Sequence, residues 1–267
     1  MDMGKKAGWG KWIARRTHNP KVASSILAPA TTGVYMIRVI YSTQMRTGTH
    51  WLSDHMWELT RIRKTYVFNE HNTPAEIVTK ARKIDCMLFH AHGYDPKPVC
   101  EYIANMDDFV CISTTRNYLD MLCSNILYEG RKMQPHFAGM TTDDYIKAVL
   151  ARSDNEPYIK GLFLQHHMYR RYTHPKYTLV AYEDLHRKPV EVMWKIAGVL
   201  KLETTEEQIR DVIKRCTFRR ITGREPGVFN GKWDFKHTGV MNSHKRYLST
   251  ETIKYLGELY DFMGTVG

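Results

Sequence analysis

The amino-acid order predicts an α/β fold, a mainly parallel sheet with helices covering both faces. Three observations predict it. Short runs of β-branched and aromatic residues alternate with stretches whose apolar residues recur at helical spacing. The strand runs are apolar throughout, as in strands buried on both faces. At 267 residues, with 43% hydrophobic and 25% charged residues, the chain suits one substantial core better than two. We therefore read 1–267 as a single domain, with 1–33 an irregular lead-in.

The elements follow in order. Residues 34–40 read as a buried strand. A polar turn follows, and then Trp51, Leu52, Met56, Trp57 and Leu59 mark a helix to about residue 63. Residues 65–68 form a short strand. Thr73-Pro-Ala-Glu76 is a capping box with Pro at the first helical position, opening a helix to about Lys83. Strands at 85–92 and 108–115 are separated by a helix at 98–106, and another helix covers 118–128. Thr141-Thr-Asp-Asp144 caps the next. A long helix at 156–172 should turn Leu162, Leu164, Met168 and Tyr169 inward. Residues 177–182 are the last clear strand, with a helix near 188–201. Thr204-Thr-Glu-Glu207 reads as a further capping box, 219–245 as loop, and 249–263 as a closing amphipathic helix.

Tyr41-Ser-Thr-Gln-Met-Arg-Thr-Gly-Thr-His-Trp-Leu52 joins the first strand to the first helix. A strand entering a helix through such a turn leaves backbone N–H groups at the helix N-terminus, where the macrodipole favours an anion. Gly48 admits close backbone approach, Thr47 and Thr49 carry hydroxyls, and Arg46 adds charge. This reads as a phosphate cradle. It departs from the nucleotide P-loop, because Thr43 stands where the first glycine belongs and His50 follows Thr49.

Ligands of parallel sheets bind beyond the carboxyl ends of the strands. That rule gathers residues 46–49, His90 and His92, Thr115 and Arg116, and 182–184 on one rim. Arg116 at a strand end, with Ser124 two turns along the next helix, can clamp a second phosphate. A histidine at a strand end can serve as general base. No third ligand stands near His90 and His92, so no metal site is expected.

Other classes are weighed from composition. The net charge of 39 − 28 = +11 suits nucleic acid, a membrane surface or a polyanionic small molecule. The basic residues are dispersed and form no nucleic-acid module. No run reaches 18 apolar residues and no secretory h-region is present, so no membrane partner is expected. Cys86, Cys100, Cys111, Cys123 and Cys216 form no C-x-x-C pair and fall mostly in apolar runs. They read as buried thiols in a reducing, cytoplasmic compartment.

The ordered set resembles the sulfotransferases that use 3′-phosphoadenosine 5′-phosphosulfate (PAPS). Arg46-Thr-Gly-Thr-His-Trp51 resembles the family's Lys-Ser-Gly-Thr-Thr-Trp after a strand. Arg116-Asn-Tyr-Leu-Asp120 with Ser124 resembles Arg-Asn-Pro-Lys-Asp with a Ser eight residues after the Arg. Tyr182-Glu-Asp184 before Pro189 resembles its Tyr-Glu-Asp, and Cys216-Thr-Phe218 its Thr-Ser-Phe. His92 of Phe89-His-Ala-His92 takes the place of the catalytic His that ends Lys-Thr-His. The span from Gly223-Arg-Glu-Pro-Gly227 to Gly231-Lys-Trp233 resembles the late Arg-Lys-Gly…Gly-x-Trp-Lys loop imperfectly.

The resemblance covers roughly residues 34 to 240 and implies a P-loop-like three-layer α/β/α fold, with PAPS as sulfuryl donor, PAP as product and no metal. It implies the 5′-phosphate on Thr47, Gly48, Thr49, His50 and Trp51, and the 3′-phosphate on Arg116 and Ser124, with Arg224, Gly227 or Lys232 from the late loop. Adenine would lie among Trp51, Tyr182 and Phe218. Arg46 would stabilise the leaving oxygen, and His92 would take a proton from a hydroxyl or amine of a small-molecule acceptor. The chain departs from the pattern at Arg46 for Lys, His50 for Thr, His90 for Lys, and a late loop without its Lys. A nucleotide kinase is the alternative enzyme reading, but it wants a complete Walker Lys and acidic Mg²⁺ ligands. A non-catalytic nucleic-acid-binding protein is the alternative from another class.

Overall fold

The computed structural model describes residues 37–44, 46–60, 64–66, 73–83, 88–92, 95–126, 139–151, 156–223, 225–226 and 239–266. All of them belong to the unit Met36–Gly267. Among these residues, five strands build one sheet. They are β1 (Arg38–Thr43), β2 (Lys64–Tyr66), β3 (Leu88–His92), β4 (Phe109–Thr115) and β5 (Tyr177–Ala181). Their order is β2-β3-β1-β4-β5, and each described pairing is parallel. β1 thus lies in the middle, with later strands added on either side.

The helices are α1 (Thr49–Thr60), α2 (Pro74–Lys83), α3 (Pro96–Tyr102), α4 (Tyr118–Asn125), α5 (Thr142–Leu150) and α6 (Glu156–Arg171), followed by α7 (Tyr182–Arg187), α8 (Pro189–Val199), α9 (Glu206–Arg215), α10 (Phe218–Thr222) and α11 (Thr250–Val266). A 3₁₀ turn covers Ser243–Arg246.

Alternation along the strands divides the core into two faces. Val39, Tyr41, Ile112 and Val180 pack with Leu52 and Met56 of α1, Leu185 of α7 and Val192 and Ile196 of α8. Ile40, Phe109 and Cys111 pack on the opposite face with Ile77, Val78 and Ala81 of α2 and Val99 and Cys100 of α3. The expected three-layer α/β/α arrangement is therefore present. Beside it, α4, α5, α6 and α11 join around Leu122, Ile146, Phe163 and Leu256. Cys100, Cys111, Cys123 and Cys216 are buried, and no disulfide joins any of them. Among the described residues, no helix is long and apolar enough to cross a membrane.

Local chemistry explains the boundaries. Thr73 N–H donates to Glu76 Oε2 (2.8 Å) and Glu76 N–H to Thr73 Oγ1 (3.3 Å), the reciprocal pair expected at α2. α3 starts two residues before the expected Pro98, because Asp95 accepts from Lys97 N–H and Pro96 occupies the first turn. At α9 the capping box is Thr205 with Gln208, one residue on from Thr204 with Glu207, since the Gln208 side chain reaches back to Thr205 N–H. The inward stripe of α6 is Ile159, Leu162, Phe163, His166 and Tyr169, whereas Leu164, expected inside, is exposed. The segment 182–187 is a short helix of its own before Pro189, and α10 and the 3₁₀ turn fall within a stretch expected to be loop. Leu256 is fully buried where α11 meets α4 and α6. Leu256→Ala should lower the unfolding free energy by about 3 kcal/mol in urea titrations; a loss under about 1 kcal/mol would mean that α11 packs loosely.

Candidate functional site

Because the strands run parallel, their carboxyl ends share one edge of the sheet. Thr43 pairs with His92 and Thr115 with Ala181, so β1, β3, β4 and β5 all end at this edge. The strand order turns outward from β1, between β3 and β4. Doubly wound sheets open a crevice at that place.

The turn after β1 stands at this crevice. Arg46 has φ +67° and Gly48 φ +91°, so two left-handed residues flank Thr47. Trp51 and Leu52 N–H both donate to Gly48 C=O, at 3.0 and 3.1 Å. The N–H groups of Gly48 and Thr49 have no partner among the described residues, which leaves donors at the N-terminus of a 12-residue helix.

The threonine hydroxyls behave differently from expectation. Thr47 Oγ1 donates its proton to Gln44 C=O (2.7 Å), so the 2.6 Å bond to Thr114 must be donated by Thr114. Thr49 Oγ1 donates to Thr43 Oγ1 at 3.1 Å. Both threonines are buried and brace the turn against β1 and β4. A phosphate here would meet the backbone N–H groups of Gly48 and Thr49, since the hydroxyls of Thr47 and Thr49 are engaged inward.

Tyr182, first residue of α7, brings the turn and the end of β4 together. Its ring lies so close to Gly48 that a Cβ on the glycine would stand 2.4 Å from Cδ2. On the same ring rests the Arg116 guanidinium, 4.4 Å from the centroid. Arg116 is 8% exposed. It donates from Nη2 to Val240 C=O (2.9 Å) and lies 3.8 Å from Asp120 Oδ2, while its Nε is buried without a hydrogen bond.

The contacts continue into a closed circuit. Gly239, next to Val240, is pressed on the Phe218 ring. Thr217 caps α10 ahead of Phe218, and Cys216 C=O accepts from Trp51 Nε1 at 2.7 Å. Trp51 returns edge-on to Tyr182, with ring centroids 5.4 Å apart. An anion cradle, a buried guanidinium and three aromatic side chains thus surround one site.

This ordering is that of a known family. A model of the sulfotransferase domain matches residues 37–263. The chain belongs to the sulfotransferase family. Solved structures agree at the level of fold. Mouse sulfotransferase SULT7A1 complexed with PAP has a TM-score of 0.59 at 14% identity, covering 85% of this chain and 83% of that one. Retinol dehydratase in complex with androsterone and inactive cofactor PAP has a TM-score of 0.58 at 12% identity, covering 86% and 82%. No curated protein sequence matches the chain.

Within this sulfotransferase, Arg46, Thr47, Gly48, Thr49, Trp51, Arg116, Tyr182 and Phe218 gather as described, and Ser124 lies half-buried on α4. His50 is half-buried in the first turn of α1. The backbone of His92 lies opposite Thr43, and that of His90 opposite Tyr41. Arg224, Gly227 and Lys232 lie outside the described residues.

Several contributors were given no role in the sequence reading. Asp120, fully buried, accepts from Asn242 N–H (2.7 Å), His244 N–H (2.9 Å) and His244 Nδ1 (2.8 Å), fastening the segment that carries Val240. Burial alone would raise its pKa, but the His244 hydrogen bonds and the Arg116 charge outweigh this and hold it below the usual carboxylate value. His186 packs on Trp51 (centroids 4.4 Å apart), and burial followed by the charge of Arg116 lowers its pKa to about 4. His166, in the middle of α6, has its pKa lowered to about 4, chiefly by burial. The available signal was a polar residue on the apolar stripe of a helix.

Two outcomes follow. Gly48→Ala drives a methyl into Tyr182 at a left-handed φ and should cost about 2 kcal/mol. Calorimetry should also show nucleotide binding lost, and a variant that binds normally would show that the turn can open without consequence. For His166 the unfolded imidazole gains its proton near 6.5, while the folded one resists until about 4, so stability falls as pH drops through that window. Between pH 7 and pH 5 the wild type should lose about 2 kcal/mol more than His166→Gln in urea titrations; equal losses would mean that His166 is not held neutral.

Proposed function

We propose that this sulfotransferase moves a sulfuryl group from PAPS to a hydroxyl or amine of a small-molecule acceptor, releasing PAP. One observation carries the reading: the Gly48 turn and the Arg116 guanidinium lie against the same Tyr182 ring. A nucleotide with two phosphate ends and a base needs two anion sites flanking an aromatic surface, and the chain supplies them within one circuit. The buried Arg116 Nε, with no hydrogen bond of its own, fits a phosphate oxygen. The neighbours complexed with PAP support the same choice of cofactor. The retinol dehydratase structure in complex with androsterone supports a small-molecule acceptor.

When bound, PAPS supplies the activated sulfuryl group. The protein's part is placement and charge stabilisation, as in phosphoryl transfer. The N–H groups of Gly48 and Thr49 hold the 5′-phosphate at the start of α1, beside His50 and Trp51. Arg116 and Ser124 would hold the 3′-phosphate, helped by Arg224, Gly227 or Lys232 from the late loop. Trp51, Tyr182 and Phe218 pack the adenine. Arg46 would supply positive charge to the leaving oxygen of bound PAPS, where negative charge grows. His92 accepts the acceptor's proton, its strand end adjoining that of β1 through the Thr43 pairing. Buried thiols suit a reducing compartment, and we assign the protein to the cytoplasm.

Thermal-shift and calorimetric titration with PAP, followed by acceptor screening with labelled PAPS, tests the reading. Arg116→Ala should weaken PAP about 100-fold through loss of a charge-assisted contact. His92→Ala should keep PAP affinity and lose about 100-fold or more in turnover. Unchanged PAP affinity in the first, or full turnover in the second, removes that residue from its role.

A further inference from the structure

The peptide joining Arg116 to Asn117 is the first to leave the sheet at the end of β4, where the ladder with β5 stops at the Thr115–Ala181 pair. Its carbonyl and its N–H have therefore lost their ladder partners and need others. Both groups find a side chain. His166 Nε2 lies 2.7 Å from Arg116 O, and Glu183 Oε1 accepts Asn117 N–H at 2.8 Å. One comes from the middle of α6 and the other from the first turn of α7, so the plane is held at both ends.

Proton positions follow from the partners. A carbonyl can only accept, so His166 carries its proton on Nε2 and shares it with Thr115 Oγ1, 3.0 Å away. The ring is fully buried and its pKa is low, so Nδ1 is an acceptor, and Tyr260 O–H donates to it at 2.8 Å. Tyr260 is itself fixed by stacking on Tyr118 (centroids 3.9 Å apart, planes 7° apart) and on His167 (4.0 Å, 26°). The first residue of α4, α6 and the closing helix α11 therefore converge on one hydrogen bond to Arg116.

We propose that His166 and Glu183 are a pair of positioning residues that clamp the 116–117 peptide plane and so aim Arg116 at the nucleotide. The inference rests on the PAP-binding role assigned to Arg116. Fixing this plane fixes ψ of Arg116 and φ of Asn117, and with them the direction in which the Arg116 side chain leaves the backbone. A freed plane would let the guanidinium sample orientations away from the phosphate. The cost then falls on cofactor affinity and spares the chemical step.

The test is a set of four variants and a double mutant. His166→Ala and Glu183→Ala each remove one end of the clamp, and each should raise the PAP dissociation constant and the KM for PAPS about tenfold, with kcat within about twofold of wild type. His166→Gln keeps a donor near Nε2 and Glu183→Gln keeps an acceptor, so both should return to within about threefold of wild type. Because either loss frees the same plane, the double alanine variant should lose little more than the worse single one. Glu183 is the safeguard against misfolding, since it is only half-buried and its variant tests the clamp if His166→Ala does not fold.

PAP affinity unchanged in Glu183→Ala, glutamine variants no better than alanine ones, or strictly multiplicative losses would each overturn the proposal. Hydrogen exchange at Asn117 N–H, measured without nucleotide, separates the two claims. Faster exchange in Glu183→Ala and His166→Ala supports the clamp and unchanged exchange overturns it, whereas a wild-type chain that fails to bind PAP overturns the cofactor reading instead.

Discussion

The contact between the Gly48 backbone and the Tyr182 ring is the constraint on which the rest of the site depends. It exists because residue 48 has no side chain and adopts φ +91°, both of which glycine permits without strain. With the ring seated there, its other contacts follow. Arg116 rests on the aromatic surface, Trp51 meets its edge, and Glu183, next in sequence, reaches Asn117 N–H. A single close approach thus ties the end of β1, the end of β4 and the end of β5 into one unit. The sheet alone brings these ends to a common edge, and the tyrosine sets the spacing between them.

Charge is handled with the same economy. Asp120 lies four residues from Arg116, yet most of its hydrogen-bonding capacity goes to Asn242, Ser243 and His244. The carboxylate therefore locks the segment after the late loop, and its grip on the guanidinium, at 3.8 Å, is loose. Buried carboxylates without partners are costly, so this one is saturated by a turn that would otherwise need its own anchors. The same turn delivers Val240 C=O to Arg116 and Gly239 to Phe218. The Asp120 anchor and the placement of the guanidinium therefore share one turn.

The architecture was legible in the sequence because it rests on periodicity. Parallel strands buried on both faces have to be apolar throughout, and helices that cover them have to be striped, so alternation alone implied the three layers. The rim was legible through residues whose chemistry is distinctive at a strand end, such as Gly48, Arg116 and Tyr182. Less was legible where several residues could do the same job. Thr204 or Thr205 can each cap α9, and Gln208 decided between them. Leu164 and Phe163 are both apolar, and only the rotation of α6 against α11 settles which faces in. The hydroxyls of Thr47 and Thr49 were assigned outward from type alone, but their direction is set by Gln44 and Thr43, whose placement depends on the folded turn. His166 was missed, and Glu183, gathered on the rim within 182–184, was given no role of its own, for a related reason. Each acts on the backbone, and a backbone group released at a strand end leaves no mark on the sequence.

The buried imidazoles explain how such a site can keep a constant field. Polyanionic ligands call for positive charge, and histidines beside Arg116 would be an obvious source of it. Instead burial holds His166 and His186 neutral down to about pH 4, and the charge of Arg116 reinforces this at His186. Both therefore serve as shape and as hydrogen-bonding groups, His186 packed on Trp51 and His166 donating to Arg116 O. The positive field at this end of the site then comes from a guanidinium, which does not titrate, and from backbone N–H dipoles, which cannot. Neither imidazole adds charge to this field across the physiological pH range. On the proposed reading, a pH-dependent step would then fall to His92 at the end of β3 and not to these two imidazoles.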